Sequence, residues 1–440
     1  MPDQTLRSSL LVRLLIVAGL GVILLIPALF VSLLISDRQQ TRNEAAVDVS
    51  SKWGSQQTLL GPILTIPVRE MVRKKDGTMH VQIRYVNVLP ETLNAHVQLR
   101  PEVRYRGIFR VPVYIADLTL EAVMAPESAA GSLLTSGEVL WKEAFLTFGI
   151  QDLKGIQSID TLAWDDHRLA PEPGGHFDGL GTAAFTARPV LQAGTGTHRL
   201  VLRASIRGTE EFRVIPVGRD TRLEAASPWG DPSFTGDFLP TSRQIEADRF
   251  QASWHVLDVN RSLPQAWVGS FPERTPSWFG VKLFLPVDQY QKTQRALKYA
   301  VMFIALTFLS FFMVDVLARH AFHPVHYLLV GLALVLFYVL LISLAEYVPF
   351  TIAYAIAAVA IILLITFYTR GVTHRPSVVL IVGTTLTLLY GFLFVLLQLE
   401  DYALLAGSLG LFIVLALVMY LTRRIDWFDP AASRNQPARE

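Results

Sequence analysis

The side chains best suited to chemistry crowd the two ends of one apolar run, RHAFHPVHYLLVGLALVLFYVLLISLAEYVPF at 319–350. His320, His323 and His326 recur at i, i+3, i+6, which on one helix face would offer three imidazoles to a metal ion or a proton. Pro324 interrupts that series, so the three straddle a loop, with no thiolate or carboxylate beside them to complete a zinc site. Glu346 lies 23 positions beyond His323, about 34 Å along a helix at ~1.5 Å per residue. One helix cannot bring the two ends together. The histidines and Glu346 read as boundary markers of a membrane span, and no metal site is assigned.

Asp315, in FLSFFMVDVLARH, is the acid that boundary marking explains least. A carboxylate so close to the apolar run is costly unless paired, protonated or reaching the interface. Arg319 stands at i+4, the spacing of an intrahelical pair. The competing reading makes Asp315 a polar contact or proton-handling group inside the bundle. WDDH at 164–167 places Asp165, Asp166 and His167 on adjacent positions, which suits a solvated turn better than convergence on one ion. PEPGGHFDG at 171–179 is glycine-rich without a phosphate motif, and no G-x-S-x-G, H-E-x-x-H or Walker pattern occurs. With no cysteine among 440 residues, thiolate catalysis, disulfides and Cys-ligated metals are excluded. No catalytic residue and no cofactor is assigned, and the chain reads as a non-enzyme.

The elements that carry these residues follow from hydropathy. Hydrophobic residues make up 51% of the chain and charged ones 17%, and mean hydropathy is +0.38, which places it among membrane proteins. A formal charge of +2 gives no reason to expect nucleic acid. Six stretches reach membrane length: 10–35, 299–318, 325–345, 348–369, 377–399 and 402–421. The first is too long for a signal core and lacks a small-x-small cleavage site, so residues 10–36 read as an anchor bent near Pro27. Arg319, Arg370 with Arg375, and Arg423 with Arg424 fall on one side, and Glu346 and Glu400–Asp401 on the other. The positive-inside rule then makes residues 1–9 and the tail 422–440 cytoplasmic and exports residues 37–287.

Within that exported segment the period becomes alternating. Val81, Ile83 and Tyr85, then Val97, Leu99, Val103 and Tyr105, then Leu200, Leu202 and Ile206, then Phe250, Trp254 and Val256 each mark one strand face. The fold class is thus a mixed membrane protein, six transmembrane α-helices with a large exported all-β, sandwich-like domain. FRVPVYIADLTLEA (109–122) aligns without gaps to FRVIPVGRDTRLEA (212–225), suggesting a duplicated β-module. Pro286 and Asp288 suit a helix start, so residues 288–318 read as one helix continuing into the second span. Lys292, Arg295 and Lys298 recur at i, i+3, i+6 on one face of it. They read as a solvated face against the β domain, or as a contact for anionic lipid or another envelope protein.

At these residues the chain resembles the CreD-type inner-membrane proteins. The resemblance rests on Gly61-Pro62-Ile63-Leu64 with Pro67, on Arg106-Gly107-Ile108-Phe109, on SPWGDPSFTGDFLP (227–240), on PVDQYQKTQRALKY (286–299) and on 323–350. It implies a bacterial inner-membrane protein linked to envelope integrity, stress tolerance and β-lactam response, with no catalytic residues to carry across. The chain departs from that family's pattern at Asp315, where a longer acid is expected, and at His326, where an amide is expected. Two function classes follow. One is an envelope-maintenance protein whose exported domain binds an envelope component or partner. The other is a transporter or flippase-like protein using the C-terminal helices, and the absence of a repeated mid-span break favours the first.

Overall fold

The structure is a computed structural model describing residues 10–73, 78–135, 137–175, 183–194, 196–272, 275–284, 289–317, 322–399 and 402–423. Arg319, His320, Pro286 and Asp288 lie outside the described residues, as does the end of the glycine-rich 171–179 stretch. Two units form: Met1–Thr41 with Val287–Glu440, and Arg42–Pro286.

The first unit is helical. Helices α1 (Leu10–Ile23) and α2 (Leu25–Trp53) meet at Leu24, three residues before Pro27. Proline cannot donate to the carbonyl four residues back, and its ring crowds that carbonyl, here that of Ile23, so the break falls there. After the short α3 (Pro126–Leu134) of the second unit come α4 (Gln289–Lys298), α5 (Ala300–Leu317), α6 (Pro324–Ala345), α7 (Phe350–Thr373), α8 (Pro376–Gln398) and α9 (Ala403–Thr422). Among the described residues, five helical stretches are long and apolar enough to cross a membrane, with Leu15–Trp53 counted as one, and the bent pair α4–α5 makes a sixth if it counts as one span.

That pair lies within the stretch 288–318 expected as a helix continuing into the second span, and its described part is bent. The axis turns by 48° between the helices, and the Tyr299 amide bonds the Ala296 carbonyl (3.1 Å), a tighter i−3 pairing. The cause lies in composition: α5 is apolar all round, whereas α4 is amphipathic and turns Thr293 and Ala296 inward against α6 and α8. Close packing elsewhere uses small residues, with Leu24 against Gly331 and Phe392 against Gly410.

The second unit packs a ten-stranded and an eight-stranded sheet over one core that includes Trp164, Trp254, Phe148, Phe212 and Phe279. Leu200, Leu202, Ile206, Phe250, Trp254, Val256, Val97 and Leu99 point into it. Val81, Ile83 and Tyr105 do not: they are 50%, 45% and 67% exposed. Their alternation continues past the sandwich onto ribbons that no second sheet covers.

Each sheet is made continuous by one parallel pair. Gln57–Leu59 pairs with Phe212–Val214 in one sheet, and Thr92–Gln98 with Asp220–Ala226 in the other. The chain therefore changes sheets within 215–219. This also separates the two aligned segments: Phe109–Met124 is a single strand, whereas 212–225 divides between both sheets. The alignment does not correspond to a matched pair of elements.

Gly208 stands directly across from Tyr114 in the pairing of His198–Thr209 with Phe109–Met124, and the buried phenol donates to the Glu211 carbonyl (2.7 Å). A Cβ on Gly208 would clash with the hydroxyl end of the Tyr114 ring. We expect Gly208→Ala to destabilise this unit by about 1–3 kcal/mol through overpacking, with Tyr114→Leu in the same chain restoring part of the loss. Thermal unfolding of the detergent-solubilised full chain checks this, and an unchanged transition for Gly208→Ala would place the ring elsewhere.

Candidate functional site

The polar groups of the helical unit gather at two levels. At one, His323 N-caps α6, its Nδ1 accepting from the Val325 amide at 3.3 Å. Pro324 follows at the first helical position, where its missing N–H costs nothing. One turn on, His326 Nδ1 lies 2.6 Å from the hydroxyl of Tyr368 on α7. The two imidazoles therefore serve different partners, and no group of three His, Asp or Glu among the described residues is arranged around a cation position. Asp315 is buried in α5.

At the other level, Glu346 closes α6 and meets a residue that spacing alone did not single out. Arg38 Nε of α2 lies 3.5 Å from Glu346 Oε1, with the carboxylate side chain 10% exposed and the arginine 44%. Glu346 thus ties the N-terminal helix to the α6–α7 turn. The only sequence signal for Arg38 was its position just past the first apolar run. Lys292 of α4 stands 6.0 Å from the ring of Phe350 at the start of α7. Of the basic series, Lys292 and Arg295 are half-buried and Lys298 is exposed.

Between these levels lies an aromatic cluster that the hydropathy pattern hid. Tyr390 packs against Phe303 (4.6 Å between centroids) and Phe337 (4.9 Å), and Phe337 against Tyr354 (5.4 Å). The Tyr354 hydroxyl donates to the Tyr390 carbonyl at 2.6 Å. The buried hydroxyls of Tyr338 and Tyr390 have no hydrogen-bond partner among the described residues.

In the β unit, Trp53 at the end of α2 lies between the guanidinium groups of Arg104 (4.7 Å) and Arg207 (4.9 Å) and donates to the Tyr114 carbonyl (3.2 Å). In the WDDH turn, Asp165 accepts from the Arg199 amide (2.8 Å) and pairs with buried His198 (2.8 Å), which stacks on Trp164. Asp166 and His167 are exposed. Arg261 donates to the Val217 carbonyl (2.9 Å), and burial pushes its guanidinium down to about 10. Burial likewise pushes the Tyr114 phenol up. These groups fix turns and strand crossings.

The Arg38–Glu346 pair can be measured by a double-mutant cycle of Arg38→Gln, Glu346→Gln and the double variant in the solubilised full chain. We expect a coupling of about 1 kcal/mol, given one partly exposed partner, with Arg38→Gln the costlier single change because it strands a mostly buried carboxylate. Additive effects would remove the pair as a tie between the helices.

Comparison with known proteins agrees with this architecture. The family profile described as Inner membrane protein CreD matches residues 9–428. Inner membrane protein CreD of Escherichia coli strain K12 is 31% identical over 441 aligned residues, covering 99% of this chain and 97% of that one. A solved M1 zinc metallopeptidase from Deinococcus radiodurans is similar over 49% of this chain and 53% of its own, with 10% identity and a TM-score of 0.21, too low for any shared fold or chemistry to follow. With its several membrane-length apolar helices, the chain belongs to the CreD family of inner membrane proteins and is multi-pass.

Proposed function

We propose that the protein maintains cell-envelope integrity without catalysing a reaction, and that its β unit, exported across the inner membrane, acts by binding a protein of the envelope. The observation that carries this is an uncovered ribbon. Gln57–Arg73 and Met79–Val88 stay paired out to Arg73 and Met79. Ala266–Val268 flanks the ribbon only at Val86–Val88, and Glu138–Val139 only at Val68–Arg69. Beyond those points no third strand among the described residues joins it.

Directly opposed residues share a face, so Met71 with Val81, Met79 with Arg73, and Ile83 with Arg69 form one side. Met71 is 71% exposed, Met79 62% and Val81 50%. An apolar stripe on an open strand edge is a liability that soluble surfaces avoid unless something covers it. Methionine adapts to an irregular partner, and the open edge can add a strand from it. The export direction is supported by the basic α7–α8 turn, with Arg370 and Arg375, against the acidic α6–α7 turn with Glu346.

The test uses a deletion strain carrying Met71→Glu/Val81→Glu, two exposed positions whose change leaves the core untouched. We expect loss of rescue from envelope stress at normal abundance and insertion, and retained rescue with Val81→Thr. Full rescue by the double glutamate variant would end the ribbon's role. If Tyr338→Phe then failed to rescue, transport through the helices would become the better reading, since that change removes only a buried hydroxyl of the bundle.

A further inference from the structure

We infer that the groove between α7 and α8 binds an anionic phospholipid, its phosphate held at the α7–α8 turn and an acyl chain laid along the helices. The site is separate from the ribbon and independent of its role. The groove encloses about 930 Å³, ample for a small amphiphile by the range of known ligand pockets. Its lining changes character along its length. Arg370, His374 and Arg375 stand at one end, and Ile362, Leu363 and Leu380 line the wall.

Three features make this a lipid site rather than a polar channel. First, both helices bring a basic side chain to that end, Arg370 from the last turn of α7 and Arg375 from the cap position of α8. Second, α8 starts there with Pro376 at its first turn and no side-chain cap from Arg375, so the positive end of its dipole faces the same position. Third, two of the three threonines of the slot satisfy their hydroxyls within their own helix: Thr366 donates to the Ile362 carbonyl (2.6 Å) and Thr387 to the Gly383 carbonyl (2.8 Å). Positive charge at a helix end above a hydrocarbon-lined slot is the complement of an anionic headgroup above its acyl chain.

The binding test uses the full chain in neutral detergent, with native mass spectrometry reading retention of phosphatidylglycerol against phosphatidylcholine of identical chains. We expect phosphatidylglycerol to be retained about tenfold better, and Arg370→Gln/Arg375→Gln to abolish that preference, in line with the contribution of basic residues near a lipid surface. Thr384→Trp, at an exposed position on the slot, should reduce retention of both lipids. Lipid-free thermal transitions of both variants must match the parent chain. Equal retention of the two lipids by the parent, or unchanged retention in both variants, would overturn the assignment. Displacement of the lipid by inorganic phosphate alone would also overturn it, by showing a phosphate site without a chain slot.

Discussion

The β unit depends on one crossing. Between the strands Glu211–Val214 and Asp220–Ser227 the chain leaves one sheet and enters the other, and on each side it supplies the parallel partner that makes that sheet continuous. Parallel pairing is slightly weaker per residue than antiparallel pairing, and the pair at Phe212–Val214 is only three residues long. The connecting backbone must therefore be held by other means. Arg261 holds the Val217 carbonyl, and Arg219 bridges Glu91 (3.1 Å) and Asp258 (3.5 Å). Gln265 reaches the Leu89 and Pro90 carbonyls from the same side. A buried arginine is a costly way to satisfy a carbonyl, and its presence here marks a turn the core cannot stabilise by apolar contact alone.

The helical unit answers a different constraint. In hydrocarbon every backbone polar group must be satisfied within its own helix, so side chains are left to decide which helices touch. Most contacts are apolar, and the few polar ones stand out by position. His326 with Tyr368 joins α6 to α7, and Arg38 with Glu346 joins α2 to the α6–α7 turn. The boundary histidine and glutamate are thus also fasteners. A residue that marks the edge of a span sits where a charge can be partly desolvated and still reach water, which suits both purposes.

The surfaces of this inner membrane protein carry the two proposals made for it. Two places depart from ordinary economy of structure. The ribbon ending at Arg73 and Met79 keeps apolar side chains in solvent, and the α7–α8 groove keeps cations above an apolar slot. The two proposed binding roles, for a protein at the ribbon and an amphiphile at the groove, rest on these two surfaces.

The sequence by itself determined the class. Runs of apolar residues long enough to span, an alternating segment between the first and second of them, and ordered motifs such as SPWGDPSFTGDFLP required no tertiary information, because length, period and order are properties of the chain. Hydropathy alone did not locate the break at Tyr299, where α4, with Thr293 and Ala296 buried, gives way to α5. Alternation at Val81 and Ile83 announced a strand but not its exposure, because a period of two says which residues share a face and nothing about what covers that face. Arg38 for Glu346, Tyr368 for His326 and Gly208 for Tyr114 are partners separated by 308, 42 and 94 positions. Only the packed chain brings such residues together, because contact between distant segments is set by how sheets and helices stack, which local pattern does not encode.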